Sequence, residues 1–164
     1  MRAEFNHEIQ IDLPVEEALP LFTPKGEELW VPGWRPRYIS PPSGETREEM
    51  LFVTEAEGET TVWTCLRWQP AQGHARYLRV TPGSRISFVD VSCRAHGPSR
   101  TVARVSYEHF ALTAEGQAFI GKLSPASFTE MIDGWAGLIA DHMRTRRTAS
   151  EGANGPSGDW RRLR

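Results

Sequence analysis

The sequence predicts an α+β fold, in which a curved antiparallel sheet of about seven strands wraps around a long C-terminal helix, with two short helices after the first strand. Two patterns support this fold class. Strand-like runs separated by turn residues fill most of the chain up to residue 112, and an apolar stripe with helical spacing follows. With 164 residues, 39 % of them hydrophobic, the chain is long enough for one buried core.

The first strand is predicted at Phe5–Leu13, where apolar and polar residues alternate. A proline and two glutamates follow it, and they favour a short helix that runs towards Phe22. A further helical turn is expected within residues 26–34, before Pro32 and Gly33 break it. These are the two short helices of the predicted fold.

The middle of the chain is a series of strands with short loops, which is typical of an antiparallel meander. The predicted strands are Arg37–Ser40, Arg47–Thr54, Thr60–Trp68, His74–Thr81, Arg85–Ala95 and Arg100–Leu112. Within Arg85–Ala95 the apolar positions change phase after Phe88. This change predicts a bulge or sharp bend in that strand, as a strongly curved sheet requires.

The last helix is predicted to begin with Ser124 as its cap and Pro125 at its first position, and to run to Arg144. Its apolar residues recur at spacings of three and four, so they form one stripe that must be buried against the sheet. They are Phe128, Met131, Ile132, Trp135, Leu138, Ile139, His142 and Met143. We therefore predict one domain over residues 1–146 and a flexible Gly/Ser/Arg-rich tail over 147–164.

Charge and composition exclude several classes of partner. The formal net charge of −2 lacks the basic excess of a nucleic-acid-binding surface. No run approaches the roughly 20 apolar residues of a membrane span, and the N-terminal residues lack a secretion signal, so we expect a cytoplasmic protein without membrane insertion. Cys65 and Cys93 lie in strand-like runs and are expected to be reduced packing residues.

Three stretches resemble a known superfamily: ELWVPGW at 28–34, YLRVTPGSRI at 77–86 and TVARVSYEHFALTAEGQAF at 101–119. Together with the order of the elements over residues 3 to 145, they are similar to the START-like superfamily, also called the polyketide cyclase, dehydrase and lipid-transport group (SRPBCC). The likeness is to a bacterial branch that is mostly without an assigned activity.

The resemblance implies a helix-grip fold, with an elongated cavity between the concave sheet and the long helix, typically for hydrophobic molecules. It implies no particular ligand, because the superfamily contains carriers, cyclases, regulators and chaperone helpers.

Alternation along the last strand places Val105, Tyr107 and His109 on one face, which we expect to look into the cavity. Tyr107 and His109 are candidates to bind a ligand oxygen or to serve as a catalytic acid and base. The commoner alternative is that both are hydrogen-bonded core residues.

Tyr77 and Arg79 share a face of their strand, but both faces of this strand are equally apolar. Arg79 is therefore either a buried cation that binds a ligand carboxylate or pairs with Glu49, Glu55 or Glu57, or else a solvated residue of the outer face. The solvated state is the commoner one for arginine.

Trp30 and Trp34 flank the Pro-Gly break and form either an aromatic gate at the cavity mouth or a plug at the end of the barrel. Trp63 and Trp135 are expected in the core, with Trp135 on the helix face towards the ligand. The predicted ligand-binding set is Trp30, Trp34, Tyr77, Arg79, Val105, Tyr107, His109 and Trp135.

The sequence contains no metal-ligand spacing, phosphate loop or nucleophile elbow, so we expect no metal and no cofactor. The leading hypothesis is a non-catalytic protein that binds a small hydrophobic molecule. One alternative is a polyketide cyclase or dehydratase that uses His109 and Tyr107. Another is an interaction module that modulates a partner protein, and whether the chain forms a homodimer stays open.

Overall fold

The computed structural model describes residues 1–153, which form one seven-stranded antiparallel sheet and a long C-terminal helix. The strands are β1 (Arg2–Ile11), β2 (Arg37–Ser40), β3 (Leu51–Ala56), β4 (Glu59–Gln69), β5 (His74–Thr81), β6 (Arg85–Ala95) and β7 (Thr101–Ala111). Their order across the sheet is β1-β7-β6-β5-β4-β3-β2, so β1 and β2 are its edges. The predicted fold class is confirmed.

The helices are α1 (Val15–Ala18), α2 (Pro24–Glu27), α3 (Ala114–Gly121) and α4 (Pro125–Ala153), and a 3-10 turn at Leu19–Phe22 separates the first two. α1, this turn and α2 together occupy the place predicted for the two short helices. No helix within residues 1–153 combines the length and the apolar character that crossing a bilayer requires.

The bulge predicted in β6 is wrong, because β6 pairs with β5 and β7 without a shift of register. The inward positions of β6 include Arg85 and Ser87, whereas Ile86 and Phe88 lie on the outer face. Phe88 packs there against Phe110, with ring centroids 6.2 Å apart. The change of phase in the sequence thus marks polar residues on the inner face of β6. The shifts of strand register occur instead in β2 and β4.

Helix α4 covers the concave face through its predicted stripe, of which Phe128, Ile132 and Ile139 are buried. The Ser127 amide donates to the Ser124 hydroxyl over 3.0 Å, as expected of a capping serine. On the strand side, His7 Nε2 lies 2.7 Å from a carboxylate oxygen of Asp133. This contact joins α4 to the edge strand β1.

The helix extends past the predicted end at Arg144 and reaches Ala153. The reason is local, since no glycine or proline occurs between Arg144 and Glu151 to interrupt the backbone hydrogen bonds. Residues 154–164, the greater part of the predicted flexible tail, lie outside the described residues. The division into a domain and a tail therefore stays a prediction.

Candidate ligand-binding cavity

A cavity of about 360 Å³ lies between the concave face of the sheet, α2 and α4. This volume falls within the range of about 300–1,000 Å³ that is usual for small-molecule sites. Eight aromatic side chains line it: Phe22, Trp34, Phe52, Trp63, Tyr77, Tyr107, Phe119 and Trp135. The cavity thus has the largely apolar lining that a hydrophobic ligand needs.

Three of these rings form a rigid cluster on one wall. Phe52 and Trp63 are cross-strand partners on β3 and β4, and their rings stack with centroids 5.5 Å apart. The indole of Trp34 meets Trp63 edge-on at 5.7 Å, and its Nε1 donates to the Pro24 carbonyl over 2.9 Å. Because the indole N–H is satisfied, the cluster presents an apolar surface to the cavity.

The mouth of the cavity is formed by exposed residues from three segments. Gly33 and Arg35 belong to the loop after α2, Glu55 and Glu57 to the β3–β4 hairpin, and Met131 to α4. Gly33 has a positive φ of 73°, which glycine adopts without strain. The Pro-Gly break predicted from sequence therefore lies at the entrance.

Helix α2 places a carboxyl group inside the cavity. Pro24, Glu27 and Val31 line it from one side, at the spacing of successive helical turns. A Cβ at Gly26 would lie 1.9 Å from the Pro20 carbonyl oxygen, so only glycine permits α2 to pack this close to the preceding turn. Burial raises the pKa of Glu27 to about 8, against the opposing attraction of Arg79.

Arg79 faces the same cavity, so the solvated alternative for this residue is wrong. Its guanidinium carbon lies 4.7 Å from the ring centroid of Trp63, its cross-strand partner on β4. Within residues 1–153 it pairs with no carboxylate, including the suggested Glu49, Glu55 and Glu57, and its buried Nε has no hydrogen-bond partner. Burial lowers the pKa of Arg79, although an arginine stays protonated in proteins.

Tyr107 and Tyr77 bring two phenol groups to the lining. The Tyr77 hydroxyl donates to the Phe22 carbonyl over 3.1 Å and is therefore satisfied within the protein. Burial raises the pKa of Tyr107 to about 12, while the positive charge of Arg79 opposes the rise. Both phenols are neutral at physiological pH, and the Tyr107 hydroxyl lies within hydrogen-bonding reach of Arg79.

A second arginine of the cavity, Arg85, is fully paired. Its two terminal nitrogens donate to the two carboxylate oxygens of Glu59 over 3.0 and 2.8 Å. One of them also donates to the Ser84 hydroxyl, and the guanidinium carbon lies 3.5 Å from the ring centroid of Phe119. Hydrogen bonds from Arg85 hold the pKa of Glu59 below its usual value.

His109 does not line the cavity, although it lies on the predicted face of β7. Its Nδ1 is 2.7 Å from the Ser87 hydroxyl, and the rings of Phe5, Tyr107 and Phe119 surround it. Burial, together with the charges of Arg79 and Arg85, lowers the pKa of His109 to about 4. It is thus a neutral, hydrogen-bonded core residue at pH 7.

The remaining predicted residues divide between the wall and the layer behind it. Trp135 lines the cavity from α4, as predicted. Trp30 and Val105 are buried behind the wall, and Trp30 Nε1 donates to the Leu21 carbonyl over 2.8 Å. The ring of Trp30 packs against Trp135 at 5.8 Å, so it has the plugging position and Trp34 the position near the mouth.

Sequence reasoning missed Glu27, Arg85 and Glu59, and it assigned Trp63 to the core alone. The Pro24, Glu27 and Val31 spacing could have indicated Glu27 as part of an inward face. Arg85 gave the opposite signal, because its apolar neighbour Ile86 suggested that the arginine pointed outward. Within the described part of the chain, no three His, Cys, Asp or Glu side chains converge as metal ligands.

A curved antiparallel sheet that closes over a C-terminal helix and encloses a partly apolar cavity defines the helix-grip class. No protein-family model matches the chain, and no curated protein matches it either. Solved structures do match over most of its length. The chain has the helix-grip fold that the resemblance predicted.

Norcoclaurine synthase from Thalictrum flavum, solved with dopamine and hydroxybenzaldehyde, is 13 % identical over 87 % of this chain and 88 % of its own, with a TM-score of 0.62. A hypothetical protein from Helicobacter pylori is 11 % identical over 85 % of this chain and 88 % of its own, with a TM-score of 0.67. CalU16 from Micromonospora echinospora is 17 % identical over 94 % of both chains, with a TM-score of 0.55. At these identities the likeness concerns the fold.

Proposed function

We propose that the protein binds a small, largely apolar molecule in the cavity between the sheet and α4. The observation that carries the proposal is the aromatic wall around a volume of about 360 Å³. The indole N–H groups of Trp34 and Trp63 are both satisfied within the protein, the latter by the Thr54 hydroxyl at 2.9 Å. This wall therefore interacts with a ligand through dispersion and apolar burial.

The test uses N-phenyl-1-naphthylamine, an uncharged dye that becomes fluorescent in apolar surroundings. We expect saturable binding to the wild-type protein and at least tenfold weaker binding to V89F, because Val89 lines the cavity and is 5 % exposed. V62F is the matched control, since Val62 lies on the outer face of β4 and is 40 % exposed. Equal binding by V89F, or no binding by the wild type, would overturn the proposal.

A second candidate function is acid–base catalysis on the bound molecule, and Glu27 is the observation in its favour. A carboxyl group with a pKa of about 8 inside an apolar cavity can both give and take a proton near neutral pH. Tyr107 and Arg79 line the same cavity and supply donors for a developing oxyanion. In this candidate Glu27 replaces the His109 of the original hypothesis, because His109 stands behind the wall.

Deuterium exchange at the α-carbon of 2-tetralone, followed by proton NMR in D₂O, tests this second candidate. Catalysed exchange should exceed the buffer rate, increase as Glu27 ionises around pH 8, and be lost in E27Q. E17Q is the control, since Glu17 is exposed on α1 and does not line the cavity. Exchange that is unchanged in E27Q would contradict the candidate.

The third hypothesis, that the protein is an interaction module, stays a prediction. Its structural counterpart is a set of exposed apolar side chains on β2 to β4, namely Ile39, Leu51, Val62 and Leu66. Cytoplasmic location and the absence of a nucleic-acid partner likewise stay predictions.

A further inference from the structure

The two arginines of the cavity differ in how their charges are compensated. Arg85 has a bidentate partner in Glu59, a second acceptor in Ser84 and an aromatic face in Phe119. Arg79 has the Trp63 face and the nearby Tyr107 phenol, but no carboxylate within the described residues and no acceptor for its buried Nε. A buried cation without an anionic partner is costly, and proteins rarely retain one without use.

The charge of the lining follows from these pairs. Arg85 and Glu59 cancel, and Glu27 is mainly protonated at neutral pH because its carboxyl is buried. Tyr77 and Tyr107 are neutral, since burial raises the pKa of each. The mouth residues Arg35, Glu55 and Glu57 are exposed to solvent, which screens them. Among the described residues, Arg79 is therefore the interior charge of the site that has no opposite charge paired with it.

We infer that the cavity selects apolar molecules that carry a single anionic oxygen group of the carboxylate type, bound by the guanidinium of Arg79. This inference rests on the proposed function and specifies its ligand class. The N–H groups of the planar guanidinium are spaced to donate two parallel hydrogen bonds to a carboxylate. The Nε–H of Arg79 is available as one of these donors. Trp63 stacks on the cation, and its aromatic neighbours Phe52 and Trp34 are placed to contact the apolar body of the ligand.

The experiment compares two dyes that share one aromatic skeleton. 8-Anilinonaphthalene-1-sulfonate has an anionic group, and N-phenyl-1-naphthylamine lacks it. We expect R79M to weaken binding of the sulfonate about tenfold or more, the size of a lost charge-assisted hydrogen bond, and to change binding of the neutral dye less than twofold. R76M is the matched control, because Arg76 lies on the same strand but points to the outer face and pairs with Asp90.

A second measurement compares two competitors that differ only in charge. Naphthalene-1-acetate should displace the neutral dye from the wild-type protein at least tenfold better than naphthalene-1-acetamide, which has the same shape without the charge. R79K, which keeps the charge but not the planar fork, should recover part of the preference.

The outcomes separate this inference from the proposed function. If the neutral dye binds and R79M leaves the sulfonate affinity unchanged, or weakens both dyes equally, the inference is overturned while the cavity function stands. Equal displacement by the acetate and the amide overturns it as well. If the neutral dye does not bind the wild-type protein, the proposed function fails and the inference fails with it.

Discussion

The inner face of the sheet has a half that is packed against α4 and a half that borders the cavity. At the β1 and β7 side, α4 lies directly on the strands, Phe5 stacks on Phe128 with centroids 5.7 Å apart, and the polar atoms of His109 and Ser87 bond to each other. At the β3 to β5 side the same surface is hollow, and Arg79 and Glu27 face this space. Within residues 1–153 neither side chain forms an ion pair, and the Arg79 Nε has no hydrogen-bond partner. The packed half satisfies the polar groups of His109 and Ser87 internally, whereas the hollow half, for which we propose a ligand, leaves the Nε of Arg79 without an acceptor among the described residues.

The largest expected effect contrasts two neighbouring residues of α4. Ile132 is fully buried in the packed half, so I132A should lower the free energy of unfolding by about 3–4 kcal/mol through lost burial and a new cavity. Met131 lies at the mouth and is 41 % exposed, so M131A should cost less than about 1 kcal/mol. Urea unfolding monitored by circular dichroism measures both. Similar losses of unfolding free energy in I132A and M131A would contradict the division into a packed and a hollow half.

Glu27 provides the next prediction, because a partnerless acid in the hollow half destabilises the folded state. Its pKa is about 8 in the folded protein and 4.5 in the unfolded chain, so the folded state holds the extra proton between these values and stability falls as the pH rises through this window. E27Q should therefore raise the free energy of unfolding by about 3 kcal/mol at pH 8 and by less than about 1 kcal/mol at pH 5.

Among the groups around Glu27, the positive charge of Arg79 opposes the rise in its pKa, burial outweighs this attraction, and the surrounding tyrosines are neutral. E55Q, at the exposed mouth, is the control and should change stability little at either pH. A gain in E27Q that does not depend on pH would contradict the assignment of the buried acid.

His109 gives the smallest of the three effects and tests the packed half. Its pKa is about 4 when folded and 6.5 when unfolded, so the unfolded chain binds the extra proton in this window. The stability present above pH 6.5 is lost as the pH falls towards 4, and His109 should account for about 2 kcal/mol of that loss. H109Q, whose amide can still bond to Ser87, should show a shallower acid slope in thermal unfolding. An identical slope would show that folding does not lower the pKa of His109.

Much of the fold could be predicted because local signals mark its elements. The bounds of β2, β5 and β6 match the predicted strands, since prolines and glycines punctuate the chain around them. The stripe of α4 likewise identified the helix that covers the sheet. The C-terminal end of α4 could not be predicted, because polar residues without a glycine or proline neither require a helix nor end one.

The candidate site was only partly predictable, because its residues meet through the fold rather than through sequence spacing. Tyr107 followed from alternation along β7, but the two faces of β5 are equally apolar and could not place Arg79. Arg85 and Ser87 carry polar side chains into the interior while Ile86 covers the outside, which reverses the usual pattern. The spacing of Pro24, Glu27 and Val31 could indicate the inward face of Glu27, but it does not reveal the close packing of α2 on the preceding turn that Gly26 permits.

The aromatic wall also gives the protein an optical signal of its own. Trp34, Trp63 and Trp135 all face the cavity, and Trp34 and Trp63 are close enough, at 5.7 Å, for their electronic transitions to couple. A molecule bound in the proposed site would contact these indoles directly. Tryptophan emission and near-ultraviolet circular dichroism of the unlabelled protein thus report occupancy of the site, and energy transfer from the indoles to a naphthylamine dye measures its arrival.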